Sequence, residues 1–160
     1  MGLRRFFNRL GNGFISFILR SPLHVMFSKS ILLITVTGRK TGKKYITPVN
    51  YLRRGDELTI VSLHTRTWWR NLRGGREVTI WLCGRKVTGK GQVIEDERGV
   101  AAALTEYLQR APNYARYFDV ALDAHGQPVS ADVERQARSR VVIQVELPES
   151  LPDGWRFEHE

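Results

Sequence analysis

The feature that most constrains this chain is a succession of short strand-like runs between residues 31 and 95, each cut by a turn. Ile31–Thr37 is β-branched and apolar, residues 45–53 alternate in polarity, and Glu57–Leu63, 77–83 and 86–95 follow. Between them stand a glycine-bounded basic loop over 38–44, Arg54-Gly55-Asp56, Gly74-Gly75, and Gly84-Arg85, which reads as a tight hairpin turn. Connections this short join antiparallel neighbours, since parallel pairing needs a crossover of about a dozen residues or more. Pro48 brings no N–H to a ladder and demotes the middle of its run to a bulge or an edge. The expected fold is α+β and mainly β, an antiparallel barrel or sandwich.

Beyond residue 95 the period changes. Asp96 is placed to cap a helix over 97–110 whose Val100, Leu104 and Leu108 share one face, and Pro112-Asn113 ends it. A short aromatic helix over 114–122 is expected next, then a loop over 123–130 containing His125-Gly126. A charged helix over 131–138, a last strand over 140–147 and a loosely held tail over 148–160 complete the reading. Upstream, Leu3, Phe7, Leu10, Phe14 and Ile18 fall at helical spacing opposite Arg4, Asn8, Asn12, Ser16 and Arg20. This amphipathic stretch, weakened by Gly11 and Gly13, packs on the protein's own core or docks on an anionic membrane surface. The whole is read as one domain over 1–160: the helical N-terminus 1–22, a core over 28–147, and the tail.

Charge and composition narrow the partners. A net charge of +9 draws anions, whether nucleic acid, anionic lipid or a phosphorylated ligand. A single cysteine, Cys83, rules out an internal disulfide and suits a reducing cytoplasm. No run of about 18 apolar residues offers a membrane-spanning helix. The interrupted N-terminal apolar run, with no small-residue cleavage site after it, does not read as an export signal.

Usual catalytic constellations are thin. The four histidines lack metal-binding spacing, and there is no nucleophile elbow, Walker loop or dinucleotide-binding glycine motif. A reaction here would need a bound cofactor. The strongest local signal is Thr37-Gly38-Arg39-Lys40-Thr41-Gly42-Lys43-Lys44, directly after an apolar strand. Its glycines free the backbone to turn, and its cations and hydroxyls suit an anion; alternatively it is a basic turn exposed to solvent. A second segment, His64 to Leu72, carries adjacent Trp68 and Trp69, which can wall a planar ring or anchor the core, and Asn71, which can meet a heterocycle edge. A third, Asn113 to Phe118, places Tyr114 and Tyr117 on one helical face as hydrogen-bond or proton donors, or as core packing.

In this order the three segments, with Thr47-Pro48-Val49 after the first, resemble the deazaflavin-dependent nitroreductase family, also called deazaflavin-dependent oxidoreductases. The resemblance covers roughly residues 25–147. It implies a split β-barrel of six or seven antiparallel strands, related to flavin-mononucleotide-binding barrels, with peripheral helices. It implies coenzyme F420, whose phosphate and oligoglutamate tail would meet Thr37, Gly38, Arg39, Lys40, Thr41, Gly42 and Lys44. Thr47, Pro48 and Val49 would line the ring site, with His64, Trp68 and Asn71 beside it and the catalytic candidates Tyr114 and Tyr117 by the substrate. His64 stands where family members often carry lysine, and Tyr45 where they often carry a basic residue.

The expected reaction is hydride transfer to a lipophilic electrophile such as a quinone, nitroaromatic or enone. The expected setting is the cytoplasm, with peripheral contact at the inner face of the cell membrane through residues 3–20 and a homodimer as the expected assembly. The rivals are an FMN- or haem-binding barrel of the same fold, a basic nucleic-acid binder stacking bases on Trp68, Trp69 and Tyr114, and a non-catalytic membrane-surface module. Nucleic acid ranks low because the aromatics do not alternate with basic residues along one strand.

Overall fold

The structure, a computed structural model, describes residues 31–82 and 85–148. The amphipathic stretch over 3–20, Cys83, Gly84 and the tail beyond Pro148 lie outside the described residues.

Seven strands form one antiparallel sheet: β1 (Ile31–Thr37), β2 (Lys44–Asn50), β3 (Leu52–Arg54), β4 (Glu57–Leu63), β5 (Arg76–Leu82), β6 (Arg85–Ile94) and β7 (Arg140–Glu146). Their order across the sheet is β2-β1-β5-β6-β7-β4-β3. Each strand's composition matches its place. β1 and β7 are buried on both faces over most of their length, as continuous β-branched runs require. β4 alternates strictly, with Leu58, Ile60 and Ser62 inward. β2, which carries Pro48, lies on the edge, where a missing N–H costs no ladder bond. Arg85, read from sequence as half of a turn, is already in β6 and pairs with Leu82.

The run over 45–53 is not one strand. β2 pairs with β1 at one edge of the sheet, and β3 pairs with β4 at the other. Tyr51, buried in the barrel core, is the single residue between them. The chain therefore steps across from one edge to the other, and β2 and β4 pack together without pairing. The sheet curls on itself but leaves a seam between β2 and β4, so the fold is a split barrel. Its interior holds Leu32, Ile34, Val36, Ile60, Ile80 and Ile143 among others.

Two helices cover the outer face of β7 and β4. α1 (Glu97–Arg110) is capped as expected, the Gly99 amide donating to Asp96 Oδ2 at 2.7 Å. Its buried stripe is Val100, Leu104, Tyr107 and Leu108. α2 (Ser130–Ala137) begins one residue before the predicted start. The aromatic helix predicted over 114–122 is absent. A 3-10 turn at Pro112–Tyr114 runs into turns that end at Asp119, whose φ of 54° leaves the right-handed region. Tyr114 and Phe118 pack as a cluster on Tyr107, not along a helical stripe, and Leu122 leaves to bridge Pro128. Among the described residues no helix is long and apolar enough to cross a membrane.

Candidate functional site

The predicted site residues fall into two groups at opposite ends of the β1–β2 hairpin. At one end is the basic loop. Thr37 closes β1 and Lys44 opens β2, paired across the ladder. Within the loop the Gly38 amide donates to Lys43 O at 2.7 Å, and the Gly42 amide to Gly38 O at 2.9 Å. Gly42 has φ +66°, a left-handed conformation that glycine adopts freely. At Gly38 the constraint is space: an added Cβ would lie 3.0 Å from both Tyr45 Cε2 and Thr41 Oγ1. Arg39, Lys40, Lys43 and Lys44 are all exposed, so four cations face solvent from a closed loop.

This loop is fastened to a 3-10 helix over Trp68–Leu72. The Arg39 amide donates to Asn71 Oδ1 at 3.1 Å, and Asn71 Nδ2 donates to Trp68 O at 3.0 Å. Asn71 thus spends part of its hydrogen-bonding capacity on the chain itself; one N–H and one lone pair remain for a ligand. Trp69, at 0% exposure, plugs the barrel with Leu72, while Trp68 is half-buried against the same core. Both indole N–H groups are buried without an acceptor among the described residues. His64 is exposed and lies on the Trp69 ring at 5.3 Å. The Arg73 guanidinium stands 5.1 Å from the centre of that ring and forms two bonds to Glu95, at 2.7 and 2.8 Å. This Arg73 partnership holds the Glu95 carboxyl below its usual range, with His64 and Arg70 adding to it.

At the other end of the hairpin, four residues along β2 and so about 13 Å from Lys44, a recess of about 240 Å³ opens at the seam. Pro48, Val49 and Asn50 line it from β2, and Val61, Ser62 and Leu63 from β4. Ser62 is the one buried polar residue among those described, at 7% exposure. Tyr107 from α1 and Tyr117 and Phe118 from the turns after it form an aromatic wall, and Arg66 and Arg140 also line the opening. Tyr117 is 67% exposed, with its ring edge-on to Phe118 at 5.2 Å. Burial pushes the Tyr107 hydroxyl well above its ordinary range, with Tyr114 and Tyr117 contributing, so it stays protonated.

Pro48, Val49 and Tyr117 therefore meet at one recess. Thr47 shares the barrel-facing side of β2 with Val49, through its pairing with Ile34. Tyr114 does not line the recess; it stands behind Tyr107, rings edge-on at 5.7 Å. Trp68 and Asn71 group with the loop and His64 with the Trp69 ring; none of the three lines the recess. Sequence reading gave no role to Ser62, Arg66, Tyr107 or Arg140. Tyr107 carried a signal, since it continues the 100-104-108 face of α1. Arg140 carried none, because its meeting with Pro48 depends on strand order. The buried Trp69 has no face for base stacking, which removes one support from the nucleic-acid rival.

No curated protein matches the chain by sequence. Solved structures share its fold. One described as a domain-swapped dimer is 18% identical over 75% of this chain and 82% of its own, with a TM-score of 0.50. A Clostridium acetobutylicum protein related to general stress protein 26 of B. subtilis, of the pyridoxinephosphate oxidase family, is 9% identical over 81% and 83%, also at 0.50. An F420-H2 dependent reductase, FDR-A, is 17% identical over 74% and 95%, at 0.47. At such identities the likeness to the first two is one of fold. A sequence match to a defined family runs over residues 22–124, taking in the basic loop, the seam strands β2 and β4, the 3-10 helix and all three tyrosines of the aromatic cluster. On that match the chain belongs to the F420H(2)-dependent quinone reductase family and is an F420-dependent oxidoreductase.

Proposed function

We propose that the protein reduces a lipophilic electrophile, a quinone first among them and a nitroaromatic or enone by the same chemistry, at the seam between β2 and β4. The carrying observation is that a single hairpin holds a fastened, four-cation loop at one end and an apolar-walled recess at the other. That layout suits a coenzyme with a planar ring and an anionic tail. When bound, coenzyme F420 supplies the hydride. The chain's residues fit it: Arg39, Lys40, Thr41 and Lys44, with Thr37, Gly38 and Gly42 shaping the backbone, would hold phosphate and tail. Thr47, Pro48 and Val49 would face the ring, with His64, Trp68 and Asn71 near its attachment. Positioning and exclusion of water would supply most of the rate. Tyr117, exposed at the recess, would hold the proton that the reduced substrate needs, and Tyr107 stays protonated behind it. Tyr114 supports that wall through Tyr107.

The proposal places the enzyme in the cytoplasm, at the inner membrane face, with residues 3–20 as the contact and a homodimer as the assembly; these parts rest on the sequence. Titration of the purified protein with oxidised F420, followed by fluorescence, tests the central reading. Saturable binding at micromolar cofactor is expected, weakened by Arg39→Glu. Absence of binding, or a purified protein showing a flavin absorbance spectrum, would overturn it.

A further inference from the structure

The recess carries a feature that reduction of a neutral quinone does not need. Two arginines, Arg66 and Arg140, line it, and neither forms an ion pair among the described residues. Arg140 is half-buried, with its guanidinium 4.9 Å from the centre of the Phe118 ring. Among the described residues its one side-chain hydrogen bond is a long one, from Nε to Gln136 Oε1 at 3.3 Å. The carboxylate that acts on its charge, Asp119, is highly exposed and is already paired with Arg135. Burial works against the charge on Arg140; Tyr117 and Asp119 offset this only in part, and no carboxylate pairs with it among the described residues. A guanidinium placed so has its planar fork free for a carboxylate. Arg66, on the segment after β4, brings a second cation to the same opening, and the Ser62 hydroxyl a further donor.

We propose that the recess recognises a carboxylate on its substrate: a planar electrophile held at the seam, with its carboxylate between Arg140 and Arg66. This deepens the reductase reading and rests on it for the electrophile, while the anion site itself rests on the two arginines. A charge-assisted bond from the half-buried Arg140, with the exposed Arg66 beside it, predicts selectivity of about ten- to a hundredfold over a neutral isostere.

The test has two arms. In the first, reduction by reduced F420 is compared for a 1,4-naphthoquinone bearing a carboxymethyl arm and for its methyl ester. Wild type prefers the acid in kcat/KM, and Arg140→Gln loses the preference, chiefly through KM. Arg140→Lys keeps part of it, because the charge remains and the fork does not. In the second arm, the arginine Nε–Hε signals of the cofactor-free wild-type protein are followed by NMR on adding benzoate or benzamide. The Arg140 signal moves with benzoate and not with benzamide. Equal turnover of acid and ester, or equal response to benzoate and benzamide, overturns the proposal and leaves the reductase reading intact. A benzoate-specific response in a protein that neither binds nor uses F420 supports the anion site and overturns the reductase reading.

Discussion

Asn71 is the residue whose removal says most about how the basic loop is held. Its side chain accepts from the Arg39 amide and donates to Trp68 O, so it ties the loop to the plug of the barrel. Each such bond contributes about 0.5–1.5 kcal/mol net, so Asn71→Ala is expected to cost about 2 kcal/mol in all. For a chain of this size that lowers Tm by about 4–8 °C. The cofactor must then re-order the loop on binding. If it repays the Arg39 bond alone, about 1 kcal/mol, Kd for F420 rises about fivefold. Thermal and urea unfolding of the cofactor-free protein, with an F420 fluorescence titration, measures both. Asn71→Asp sharpens the reading. It keeps an acceptor for Arg39 and loses the donor, so its stability falls between wild type and alanine. Its added negative charge beside an anion loop still weakens binding. If cofactor-free Asn71→Ala is as stable as wild type while its affinity falls, the fastening is refuted and Asn71 acts by touching the cofactor directly.

Other consequences follow from packing and charge. Gly89→Ala places a Cβ 2.6 Å from Glu146 O and 3.0 Å from Val145 Cγ1, so β6 and β7 must part; a loss of about 1–3 kcal/mol in urea unfolding is expected, and an unchanged midpoint would contradict that geometry. Trp69→Ala removes the fully buried plug and should cost about 3–5 kcal/mol. Trp69→Phe should cost less, since it also deletes a buried N–H with no acceptor; equal losses would tell against the plug. Asp132 accepts from the Ala121 amide and from Arg135, which holds its carboxyl below the usual range, and Arg73 does the same for Glu95. Both native pKa values lie below their unfolded values of about 4, so the stabilisation is present above that pH and is lost as pH falls through the native values. Tm against pH should fall less steeply on the acid side for Asp132→Asn with Glu95→Gln than for wild type; parallel acid limbs would show that these partners do not set it.

Much of the fold was legible because its signals are local. The ends of β1 and β4 and of α1 coincide with the predicted ones, since β-branched runs, a turn at Gly55-Asp56 and an Asp96 cap act within a few residues. The misreadings come from non-local causes. Residues 45–53 alternate without interruption, and nothing in the alternation shows that Tyr51 carries the chain from one sheet edge to the other. The predicted helix over 114–122 had helical spacing in Tyr114, Tyr117 and Phe118. It lost to an aromatic cluster on Tyr107 and a left-handed Asp119.

The candidate site divides along the same line. The basic loop could be found in sequence because its charge, glycines and preceding strand are contiguous. Its fastening by Asn71 spans 32 residues, which is why Asn71 read as a ligand contact and not as a strut. The recess could not be read from the pattern of the residues, because it exists only where β2 and β4 come together unpaired; only the family resemblance pointed to Pro48, Val49 and Tyr117. That position also explains its composition. A seam edge exposes apolar side chains from both faces of the sheet, so Pro48 and Val49 arrive together from neighbouring positions of one strand. The cations come from where strands end: Arg140 opens β7 opposite Leu63, and Arg66 follows the exit of β4. An apolar slot ringed by strand-end arginines is thus a product of leaving the barrel open at this seam. Closing β2 onto β4 by hydrogen bonds would remove the slot and the reason for charges around it.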